Sequence, residues 1–173
     1  MKSPDAQRAL DQSLEAAASA GRPDLVADLL AQGADPAFGD GLALRAAAYM
    51  GRPECVELLL AHANLQLSSC RALLMAIFAG HLECVKILLP SSPPLRDDLD
   101  PLLAAVVHGH ASIVALMLDP ARAGAIAARD LCDLRDQAAS LSHRCVVDVL
   151  DAIIAPKTPG SEPQRIRSGL ARP

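Results

Sequence analysis

Aromatic side chains are almost missing from this chain: it has no Trp, one Tyr and two Phe, 2 % of its 173 residues. A core built on large rings is therefore excluded, and aliphatic packing with alanine contacts must carry stability. No apolar run approaches the ~18 residues of a membrane span. The start, Met1-Lys2-Ser3-Pro4-Asp5, has no apolar segment of the kind a secretory signal needs. A soluble chain with no membrane contact is expected. The five cysteines are an odd number without a Cys-x-x-Cys pair, and His62, His81, His108, His110 and His143 form no ligand cluster, so neither metal nor cofactor is expected. There is no Gly-rich phosphate loop, no nucleophile elbow and no distinctive carboxylate pair. Cys132, Asp133 and His143 come nearest to a nucleophile set, but such polarity is expected of a terminal repeat, and the chain is not read as an enzyme.

Charge divides the chain in two. Net charge is −4 overall and +3 over residues 156–173, where Lys157, Arg165, Arg167 and Arg172 face only Glu162, so the remainder carries −7. An acidic body is a poor partner for phosphate backbones, and no nucleic acid is expected. Residues 156–173 are Pro, Gly, Ser and Arg with few apolar side chains, a composition that reads as a disordered, solvated tail. Contact with an acidic partner is its alternative role.

What the chain does have is a phrase repeated in register: Gly21-Arg22-Pro23-Asp24-Leu25-Val26, Gly51-Arg52-Pro53-Glu54-Cys55-Val56, Gly80-His81-Leu82-Glu83-Cys84-Val85 and Gly109-His110-Ala111-Ser112-Ile113-Val114. A degraded fifth copy is Ser142-His143-Arg144-Cys145-Val146-Val147, and the first positions are 30, 29, 29 and 33 residues apart. Such spacing marks one supersecondary unit stacked several times. Ahead of each phrase lies an Ala-rich run, and after it an apolar run ending in Leu29-Leu30, Leu59-Leu60, Leu88-Leu89 or Met117-Leu118. Leu25, Leu29 and Leu30 fall on one helical face. Each unit is therefore helix, Gly turn, helix, with Gly supplying the left-handed residue that stops the first helix and Asp40, Ser69 and Asp100 as start signals for later first helices. Gln7, Arg8, Asp11, Gln12 and Glu15 would form the solvated outer face of an N-terminal cap repeat, about residues 3–35. Residues 131–155 read as the C-terminal cap repeat, and an insertion of about four residues begins at Asp119. Cys55 and Cys84 share one core position in adjacent repeats. Packed helices sit ~10 Å apart, beyond the ~7 Å limit of a disulfide, so both read as small buried hydrophobes.

Ala17-Ala18-Ser19-Ala20-Gly21, Leu25-Val26, Leu29-Leu30 and Gly33-Ala34-Asp35 together resemble the ankyrin repeat family. The resemblance covers roughly residues 11–155 and implies an all-α, ankyrin-type solenoid of about five helix-turn-helix repeats within residues 1–155, joined by short loops or hairpins. The family's Thr-Pro-Leu-His opening survives only as Asp100-Pro101-Leu102-Leu103, so its histidine hydrogen bonds are absent there, and the connection from Gly33 to Leu44 is shorter than the family's. The resemblance also gives His81, His110 and His143 a structural role at the turn. It implies that the two residues before each turn Gly face the concave surface, which puts Tyr49, Met50, Phe78, Val107 and His108 there as apolar anchors, with Phe38 in a bordering connection. Asp35, Asp40, Asp97, Asp98 and Asp100 would steer a basic partner. In the competing reading, shortened fingers fold down and bury the rings. The implied function is a monomeric protein-binding module docking an unidentified partner protein on its concave face, or a dedicated regulatory or inhibitory subunit of one enzyme or toxin. The Ala, Leu, Arg and Asp bias with few Lys points to a GC-rich, bacterial genome, and to a cytoplasmic protein or one delivered to a host cell.

Overall fold

A computed structural model describes residues 3–62, 66–91, 100–119 and 128–154. They form ten helices in five pairs: α1 (Pro4–Ala20) with α2 (Pro23–Ala31), α3 (Phe38–Tyr49) with α4 (Pro53–His62), α5 (Gln66–Ala79) with α6 (Leu82–Leu88), α7 (Asp100–Val107) with α8 (Ala111–Met117), and α9 (Ala128–Ser140) with α10 (Arg144–Ile154). Odd-numbered helices pack on one another in chain order, as do even-numbered ones, which makes a two-row helical solenoid.

Local chemistry sets each unit. The Ser3 hydroxyl accepts the Ala6 N–H at 3.3 Å, and Pro4 and Asp5 open α1. The helix stops at Gly21 (φ 70°), where the Gly21 and Arg22 N–H groups bond back to the Ala18 and Ala17 carbonyls. The same two bonds recur at Gly51, Gly80, Gly109 and Ser142.

Three rows of buried residues follow from that register. Leu14, Leu44, Leu73 and Leu102 lie seven residues before the turn, and Ala17, Ala47, Ala76, Ala105 and Ala138 four before it. Leu29, Leu59, Leu88, Met117 and Leu150 lie eight after it. The alanine row lets first helices approach closely while the leucine rows fill the space between layers. The pattern breaks in the fifth pair. Arg135 takes the leucine position and pairs with Asp136 and Asp151, Ala139 is exposed where Ala18, Ala48, Ile77 and Val106 are buried, and Val147 is only half-buried. No further helix covers this end among the described residues.

Several expectations change. The connection between α2 and α3 holds no strand, so there it is a short loop and not a hairpin. Its polar groups are satisfied otherwise. The Asp11 carboxylate accepts the Asp35 N–H at 2.8 Å and the Gln7 amide at 3.0 Å, and Gln7 also donates to the Gly33 carbonyl at 2.9 Å. Asp11 is therefore buried and not on a solvated face. Asp40 is no helix cap, because Gly39, Asp40 and Gly41 all adopt left-handed backbone, with φ of 60°, 58° and 68°. Ser69 lies buried inside α5, which begins three residues earlier at Gln66. The insertion after Asp119, the acids Asp97 and Asp98, and residues 156–173 lie outside the described residues.

Candidate functional site

The residue after each turn Gly reaches back to the repeat before it. Arg52 Nε donates to the Ser19 carbonyl at 3.4 Å, His110 Nε2 pairs with the Phe78 carbonyl at 3.4 Å, and His143 Nε2 with the Val107 carbonyl at 2.9 Å. These carbonyls lie two residues before a turn, at helix ends where intrahelical partners run out. The approach is tight, since a Cβ on Gly21, Gly51, Gly80 or Gly109 would lie 2.5–2.7 Å from Arg52, His81, His110 or His143 respectively. The turn histidines are thus structural, as their register implied. Arg52 does the same work, which only its position in the repeat could have signalled.

Above this ladder runs an exposed apolar row. Tyr49 is 51 % exposed, Met50 50 %, Phe78 41 %, Val107 41 % and Leu141 46 %. All five stand one or two residues before a turn in consecutive pairs, α3 to α9, so the stack lines them up. His108 joins them: its ring meets Phe78 edge-on at 5.0 Å and stacks on His110 at 6.1 Å. The Tyr49 and Phe78 rings are therefore exposed and not buried under folded-down fingers. Leu141 extends the row beyond the anchors the sequence named, although its position before the fifth turn was visible.

The other expected site residues lie elsewhere. Phe38 is half-buried, lies beyond the left-handed run Gly39-Asp40-Gly41 at the other end of α3 from Tyr49, and is not part of the row. Asp40 is no free acid, since Arg71 of the next pair binds it at 2.6 Å. Both groups are well exposed, so the pair adds little stability, but it offsets the charge Asp40 would offer a basic partner. Asp98 lies outside the described residues.

No group of three or more His, Cys, Asp or Glu is placed to hold a metal among the described residues. Cys132 sits near the start of α9 and His143 beyond its end, more than about 12 Å apart along the axis, and the His143 ring is engaged with Val107. They are not brought together. An open hollow of about 320 Å³, lined by Ala139, Ser142, Arg144 and Val147, lies at the uncovered end of the stack.

Burial, reinforced by the Glu54 carboxylate, pushes the Cys84 thiol from 9.0 up to about 11, and the same causes raise Cys55. Cys145 is exposed. At pH 8 an alkylating reagent is expected to label Cys145 in the native chain and Cys55 and Cys84 only on unfolding. Below pH 9 Cys84 is protonated in folded and unfolded chains alike. Between pH 9 and 11 the unfolded chain ionises first, so the urea midpoint should fall as pH rises through that window.

A stacked array of helix pairs presenting one continuous apolar row is a repeat scaffold of the surface-binding class. Residues 14–98 are ankyrin repeats, matched in three copies by that family's model. No curated protein matches the chain significantly. Members of this family are generally non-enzymatic modules for protein–protein interaction. No helix among the described residues is long and apolar enough to cross a membrane.

Proposed function

We propose that the chain is a non-catalytic protein-binding module whose partner lies across Tyr49, Met50, Phe78, Val107 and His108, with Leu141 at one end. The observation that supports this most is the exposure of Tyr49 and Phe78, two of only three aromatics, on adjacent repeats. Exposed rings and Met grouped on one face have the composition of an interface hot spot. A reducing, cytoplasmic setting suits the unpaired thiols.

The test separates binding from folding. Tyr49→Ala with Phe78→Ala is expected to cost at least ~2 kcal/mol per ring in affinity for a protein captured by the wild type. Exposed sites change stability by only ~0.5 kcal/mol, so melting should hardly move. Early unfolding, or affinity equal to wild type, refutes the site. Capture of a single stoichiometric companion would specify the role further, as a dedicated regulatory or inhibitory subunit, whereas many weak companions mean an adaptor.

A further inference from the structure

The exposed row is one edge of a wider patch. Three and four residues before Tyr49, Phe78 and Val107, on the same face of α3, α5 and α7, come Ala46, Met75 and Ala104, and Arg45, Leu74 and Leu103, all half-buried. All but Arg45 are apolar. In the outer pairs the same register is polar, with Glu15 and Ser19 on α1 and Asp136 and Ser140 on α9, so the patch is centred on the three middle pairs. We infer that the partner segment held there is a single amphipathic α-helix lying across α3, α5 and α7, an inference that rests on the binding role of the row given above.

Step, width and charge select that occupant. Stacked helices follow one another at ~10 Å, and seven residues of α-helix rise about 10.5 Å. Side chains one heptad apart therefore meet Tyr49, Phe78 and Val107 in turn, with a drift of about 1 Å over two steps. A β-strand presents a side chain to one face every ~6.7 Å and loses step at Phe78. The patch also has two files, about 5–6 Å apart along each first helix, which match the two apolar files of a heptad helix. A polyproline segment keeps step at about 9.3 Å per turn but turns only one file of side chains to the surface. The ends of the patch differ in charge. Arg45 lies one turn from Tyr49, Asp133 lies on the corresponding face of α9, and neither is bonded to another described residue. From α3 to α9 is three steps, about 30 Å, or about twenty helical residues. The partner helix thus carries an acid over Arg45, a base over Asp133 and apolar residues at heptad spacing between them.

Tyr49 reports occupancy directly, because it lies inside the covered patch and is the only Tyr in a chain without Trp. The probes are synthetic peptides of about 21 residues that lack Tyr and Trp. One has Leu at the apolar positions of three heptads, Glu at one end and Lys at the other; a second has Pro in place of a central polar residue; a third has Lys at both ends. Acrylamide quenching of Tyr49 in the full chain should fall about twofold with the first peptide, since interface contacts exclude water. The Pro peptide, whose helix is broken, should protect far less. Phe78→Asp, an exposed change that keeps the reporter, should abolish protection by the first peptide. The wild type should bind the Glu/Lys peptide about fivefold more tightly than the Lys/Lys peptide. Arg45→Glu should invert that preference, and Arg45→Gln, which keeps most of the bulk, should erase it. Equal or stronger protection by the Pro peptide overturns the inference, as does an unaltered preference in both Arg45 variants. The two readings fail separately. A helical peptide that leaves Tyr49 unprotected, with partner capture still lost in the Tyr49/Phe78 variant, removes only the helix, whereas protection with capture intact in that variant removes the proposed function.

Discussion

Leu59→Ala and Leu88→Ala should each destabilise the chain by ~2–5 kcal/mol, the usual loss for truncating a fully buried leucine, while His81→Ala loses clearly less. Both leucines have no exposed surface. They sit mid-stack, where α4 and α6 are packed on both sides by neighbouring second helices, so the cavity cannot collapse as it could at an end. His81 is half-buried beside Gly51, and its removal opens a space at the surface. Denaturant midpoints of the three variants decide the matter. A larger loss for the histidine would mean that the turn ladder, and not the second-helix row, holds the array together.

The second large effect is expected at the turns. Gly51→Ala should cost about 2–5 kcal/mol, the sum of a left-handed non-Gly residue and an overpacked contact. The backbone there has φ 64°, and the new Cβ would lie 2.5 Å from His81 Nδ1. Ser142→Gly is the control. Ser142 shares the left-handed backbone at φ 62° but ends the series of stacked turns, so the exchange should change stability by less than about 1 kcal/mol. If Gly51→Ala costs no more than Ser142→Gly gains, backbone conformation alone sets the requirement for Gly, and the contact with the following repeat does not.

Much of the site was legible because register in a repeat protein does what tertiary contact does elsewhere. Tyr49, Phe78 and Val107 occupy one position relative to their turns, and stacking equal units brings equal positions side by side. Phe38 and Asp40 were not legible in this way. They belong to a connection, where no repeat register applies, and the left-handed run Gly39-Asp40-Gly41 together with the Arg71 pair decided their place. Asp11 shows a related failure: its helical position suggested solvent, but the backbone N–H of Asp35, 24 residues on, required an acceptor, and a buried carboxylate supplied one.

By itself the sequence determined the period, the helix pairs, the turn glycines, the core rows and the position of the exposed rings, because each follows from short-range periodicity and from the conformational freedom of glycine. Tertiary structure alone decided that Arg52 closes a turn as the histidines do, how the first connection is pinned, and that Asp40 is paired. Those outcomes depend on distances between residues remote in sequence, and such distances exist only once the units are stacked.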